Sequence, residues 1–86
     1  MPEISRFYGI VIRMYHRDHE RPHFHVEYAE WKASLDVRSL EVVRGKLPAR
    51  VRGMVVEWAG QHRAELLLNW RRMREHTLPE RIAPLE

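Results

Sequence analysis

The 86-residue chain contains no cysteine. That excludes disulfide frameworks and thiolate chemistry, and it fits a reducing compartment. Glycine is scarce, with only four residues, and the chain shows neither an internal repeat nor a low-complexity segment. No apolar run approaches the roughly 20 residues of a membrane span. The start, Met1-Pro2-Glu3-Ile4, has neither the basic nor the apolar region of a signal peptide. Together these absences give the expectation of a cytoplasmic protein. The length fits one domain, residues 1–86, whose small core must be efficient or shared with a partner.

The chain is 44% apolar and 31% charged, with three tryptophans to fill an interior. Fifteen Lys and Arg against twelve Asp and Glu give a net charge of +3, and thirteen of those cations are arginine. The sequence pI of 9.8 reflects the high pKa of arginine more than a large charge excess. Such mild basicity permits contact with nucleic acid without requiring it.

The periodicity predicts strands first. From Phe7 to His16, Tyr8, Ile10, Ile12 and Met14 alternate onto one face. A second strand, His23 to Tyr28, follows Pro22. It puts Phe24, Val26 and Tyr28 on one face and His23, His25 and Glu27 on the other. A third, Trp31 to Val37, sets Trp31, Ala33, Leu35 and Val37 against Lys32, Ser34 and Asp36. Ala29-Glu30 joins the two as a short hairpin connection, although it lacks the glycine or asparagine that tight turns favour. Glu41 to Arg44, closed by Gly45, is the fourth candidate. Helical spacing begins at Leu47-Pro48, with Val51, Met54, Val55 and Trp58 on one stripe. A second stripe, Leu66, Leu67, Trp70 and Met73, is centred about a quarter-turn away. Gly60-Gln61-His62 sits at the change, which is a bend in one helix or the meeting of two. One bent helix from Pro48 to Arg74 is the simpler expectation. Ile82 and Leu85 of the tail are placed to pin it to the sheet. The predicted fold is α+β: a small antiparallel β-meander of three to four strands packed on one long C-terminal helix.

If the helix covers the Phe24 face, the opposite face carries His23, His25, Glu27, Lys32, Ser34 and Asp36, with Arg13 from the first strand. A two-residue connection then pairs Glu27 with Lys32, His25 with Ser34 and His23 with Asp36. Paired side chains lie about 4.5–5.5 Å apart at Cβ. The expectation is a Glu27–Lys32 salt bridge beside a His23–Asp36 dyad, with His25 one strand period along. Two imidazoles, a carboxylate and an arginine are the parts for metal-independent RNA cleavage: one histidine as base, one as acid, and a cation on the charged transition state. The candidate catalytic residues are therefore His23, His25 and Asp36, with Arg13 on phosphate. A solvated sheet face is also polar without any chemistry. A third possibility is a divalent metal such as zinc on His23 and His25, with His19, Asp18 or His16 from the loop as third ligand. No CxxC or HExxH spacing accompanies it, and the RNA-cleaving reading needs no cofactor. Arg44, Lys46, Arg50 and Arg52 form a run of cations without an acid, and Lys46 and Arg50 are candidate phosphate contacts. The tryptophans are read as core, with Trp31 starting an inward-facing run.

Several segments carry a resemblance. They are Pro2 to Ile10, Pro22-His23-Phe24-His25-Val26 after an Asp-His loop, Gly45-Lys46-Leu47-Pro48, Glu57-Trp58, His62-Arg63 and Glu65-Leu66-Leu67. In these the chain resembles the bacterial family called domain of unknown function 4160, over nearly its whole length. The loop departs from the family's pattern, with Glu20-Arg21 standing before Pro22. The resemblance assigns no catalytic residues. It implies a neighbouring small cognate partner protein in a pairing like a toxin–antitoxin module, with part of the semi-apolar face of the first strand (Val11, Tyr15) buried by that partner; the sequence also leaves room for a homo-oligomer. The resulting expectation is a toxin-like component that cleaves RNA or interferes with translation. The alternative is a non-catalytic protein-binding module whose histidines form a partner or metal site.

Overall fold

A computed structural model describes residues 2–15 and 21–86. Its sheet has five antiparallel strands in the order β1-β2-β3-β4-β5: Glu3–Phe7, Ile10–Arg13, His23–Tyr28, Trp31–Asp36 and Val42–Gly45. Two helices follow, α1 Ala49–Gln61 and α2 Arg63–Arg74. The class is the expected α+β meander, with two corrections: five strands instead of three to four, and two helices instead of one.

The additional strand comes from the segment read as a single strand from Phe7 to His16. Tyr8 and Gly9 have φ of 51° and 78°. Two consecutive positive φ values turn the chain tightly and suit a two-residue hairpin. Phe7 then faces Ile10, Ser5 faces Ile12, and both pairs point into the core. Tyr8, Ile10, Ile12 and Met14 alternate through this turn in the sequence, so the period does not reveal it; the structure instead buries Phe7 and leaves Tyr8 62% exposed, the reverse of their expected faces. β1 also breaks its own period. A register shift between Glu3 and Ser5 turns the consecutive Ile4 and Ser5 both inward.

The β3–β4 hairpin has the expected two-residue turn and the expected register, His23 to Asp36, His25 to Ser34 and Glu27 to Lys32. Ala29 takes the positive φ that the turn requires. α1 covers the predicted inner face: the Trp58 ring lies 5.5 Å from Phe7 and 6.1 Å from Phe24. Val51, Val55 and Trp58 are buried on α1, and Leu66, Asn69 and Trp70 on α2. The helix ends at His62, whose φ of −124° and ψ of 23° leave helical space. The break lets each stripe face the core, which one straight rod could not do with stripes a quarter-turn apart.

The tail is built in. Asn69 donates to the Glu80 carbonyl and accepts from the Glu80 amide, both at 2.8 Å. Trp58 Nε1 donates to the Ala83 carbonyl at 2.8 Å, and Ile82, itself buried, donates to the Ile4 carbonyl. As expected, Ile82 is pinned to the sheet, and Leu85 is half-buried beside it.

Candidate functional site on the histidine sheet face

The strand period sends alternate side chains of β2 to β5 to the sheet face opposite α1. His23 and His25 arrive from β3, and Ser34 and Asp36 arrive opposite them from β4. Arg13 lies opposite His25 on the β2 side, and Arg44 of β5 lies opposite Ser34. The two imidazole rings are 5.2 Å apart in an edge-on arrangement.

Each histidine is held through Nδ1. The His23 Nδ1–H donates to the Arg21 carbonyl at 2.8 Å. A carbonyl can only accept, so the proton sits on Nδ1 and the neutral ring carries its lone pair on Nε2. The His25 Nδ1 is 3.1 Å from the Ser34 hydroxyl, which can donate or accept as the ring changes protonation. Tyr15 packs on His25 at 4.3 Å between ring centroids, and Trp70 of α2 packs on His23 at 5.1 Å, so that His23, Ser34 and Asp36 are buried and His25 is the half-buried histidine of the pair.

Asp36 lies next to His23 in register, but its carboxylate bonds elsewhere. Oδ1 accepts from the backbone N–H of Arg38 at 2.7 Å and of Ser39 at 3.0 Å, and Oδ2 is 3.5 Å from Arg21 Nε. The Ser39 amide, followed by the Arg38 amide and the nearby Arg21 and Arg38 charges, lowers the Asp36 pKa against the opposing cost of burial. Asp36 is therefore an ionised cap on the turn between β4 and β5, linked to His23 through Arg21. The predicted Glu27–Lys32 bridge is also replaced: Glu27 pairs with Arg13 at 3.4 Å.

Arg21, His23, Ser34, Asp36, Val43 and Arg44 line a cavity of about 340 Å³. A second, of about 320 Å³, shares Ser34 and Arg44 and is bounded by Tyr15, His25, Glu27 and Lys32. The structure thus gathers His23, His25 and Asp36 around adjoining cavities. Of the three cations proposed for phosphate, Arg13 stands opposite His25 as expected, paired with Glu27, whereas Lys46 lines a cavity with Trp31 and Arg50 lines one with Tyr8 and Tyr28. The arginines that line the histidine cavities are Arg21 and Arg44. Arg44 belongs to the predicted cation run, but its place beside the histidines is not predicted, because the β4–β5 pairing slips between Ser34 and Leu35 and counting back through the turn does not give its partner. The Trp70–His23 contact joins distant elements and leaves no local signal.

Among the described residues, no group of three or more histidine or acidic side chains is placed to hold a metal ion. His19, Asp18 and His16, the candidate third ligands of the metal alternative, lie outside the described residues.

The family described as "Domain of unknown function (DUF4160)" matches residues 9–71. The chain belongs to this family. The match runs from the β1–β2 turn into α2, so the DUF4160 region contains both histidines, Ser34, Asp36, Arg44 and Trp70. No curated protein and no solved structure matches the chain. No helix among the described residues is long and apolar enough to cross a membrane.

Proposed function

We propose that this DUF4160 protein is the toxin-like component of a cytoplasmic two-protein module and that the sheet face carrying His23 and His25 cleaves RNA. The supporting observation is the pair of imidazoles 5.2 Å apart, each anchored at Nδ1, beside cavities lined by Arg21 and Arg44. His23 Nε2 takes the proton from a ribose 2′-hydroxyl. The 2′-oxygen attacks phosphorus, the bond from phosphorus to the 5′-oxygen breaks, and protonated His25 gives its proton to that oxygen. The products are a 2′,3′-cyclic phosphate and a 5′-hydroxyl. Arg21 and Arg44 stabilise the charge that develops on the phosphoryl oxygens. Asp36 is a positioning residue, acting through Arg21. Both proton-transfer groups and both cations in the step belong to the chain.

Tyr15 and Val11 lie half-buried on this face. A cognate partner covering them would also cover His25, which is how such a partner would silence the site.

The test is induced expression alongside a cleavage assay on purified protein. The wild type should arrest growth and leave 2′,3′-cyclic phosphate ends, while His23→Ala and His25→Ala should each lose at least about 100-fold in rate. Equal toxicity of folded wild type and both variants would leave the face as a protein-binding surface.

A further inference from the structure

Trp31 departs from its expected inward position. It stands at the rim of β4, 37% exposed, over a cavity of about 350 Å³ that it shares with Val42, Gly45, Lys46, Leu47 and Arg52. Lys46 and Arg52 are exposed, and among the described residues no carboxylate pairs with either. Gly45 borders this cavity and also the one that holds His25. The two cavities therefore meet across β5, the edge strand of the sheet. Gly45 presents no side chain at the crossing. It could carry none, because its φ is +75° and a Cβ there would lie 2.1 Å from the Lys32 carbonyl oxygen.

We propose that this cavity is a second subsite for single-stranded RNA, extending the RNA reading given above. The strand crosses the sheet edge over Gly45. The nucleotide flanking the scissile phosphate stacks its base on the Trp31 indole and sets its phosphate between Lys46 and Arg52. An exposed aromatic face beside unpaired cations is the combination that binds single strands without regard to sequence. An acidic protein segment would use the two cations but give the indole no partner of its own.

The experiment measures fluorescence anisotropy of a labelled 12-nucleotide single-stranded RNA, together with cleavage of a dinucleotide that fills only the histidine face. Folding of each variant is checked by circular dichroism. Trp31→Ala should weaken 12-mer binding about tenfold, and Trp31→Phe should restore most of it. Lys46→Gln with Arg52→Gln should flatten the slope of log affinity against log salt by about 0.7, the effect of one phosphate no longer neutralised. Dinucleotide cleavage should be unchanged in all of these. If 12-mer affinity ignores both sets of variants while the dinucleotide is still cut, the subsite is wrong and the histidine reading stands. If 12-mer binding depends on them but neither RNA is cut, the histidine reading fails and the subsite stands. If polyglutamate binds through Lys46 and Arg52 while RNA does not bind, the surface is a protein dock and the subsite is overturned.

Discussion

The Ser34 hydroxyl and the Arg21 carbonyl set the two imidazoles differently, although the rings are neighbours on one strand. Removing the hydroxyl with Ser34→Ala should lower cleavage by loosening His25 without unfolding the sheet. The comparison that checks it is rate against thermal midpoint in the same preparation. Asp36 makes a different prediction. Its two amide bonds cap a turn, and Asp36→Ala should cost about 2 kcal/mol in urea unfolding. Because its folded pKa is lowered, its contribution is fully present above the ordinary carboxylate pKa and is lost as pH falls through the folded value. The stability difference between wild type and Asp36→Asn should therefore shrink in acid. Glu3 follows the same sign. Hydrogen bonds from Arg6 and then Arg81 hold its pKa down to about 2. Carboxyl resonances followed by NMR should show Glu3 titrating well below 4.5 in the wild type and moving back upward in Arg81→Ala.

Among the elements, β5 depends on one residue with no side chain. Gly45→Ala would meet backbone at both Lys32 and Ala33, and the left-handed conformation adds its own penalty. A loss of about 3 kcal/mol is expected, read as a lower urea midpoint with faster amide exchange in β5. β3 and β4 were legible because period and turn length agree there, and their register follows from counting. β1 was not legible. Its bulge places Ile4 and Ser5 inside together, and a turn that preserves apolar alternation hides its boundary with β2. The helix break was visible as a shift of stripe at Gly60-Gln61-His62. Whether such a shift becomes a bend or a break depends on how much each half gains by packing separately.

At the scale of the whole molecule, the last nine residues complete the core. They supply the carbonyl for Trp58, both backbone partners for Asn69, and the buried Ile82. A chain ending at Thr77 should lose about 4 kcal/mol or more, from one buried isoleucine side chain and two polar side chains left without their bonds. Calorimetry would show a transition displaced downward, and Asn69→Ala alone should reproduce roughly half of the loss. The radius of gyration, 11.7 Å, is close to the roughly 12 Å expected for a compact chain of this length, so there is little slack to absorb the deletion.

The sequence by itself determined which side chains share a sheet face and which residues oppose one another across β3 and β4. Both follow from a two-residue period and a two-residue turn, which are local and leave no choice. The tertiary structure decided what those side chains do with their neighbours. The Asp36 carboxylate turns to the amides of its own turn, Arg21 and Arg44, lining the histidine cavities, join the expected Arg13 beside the histidines, and Trp31 stays at the rim. Those outcomes come from competition among partners brought together only when distant segments pack, and no pattern within a single segment encodes the winner.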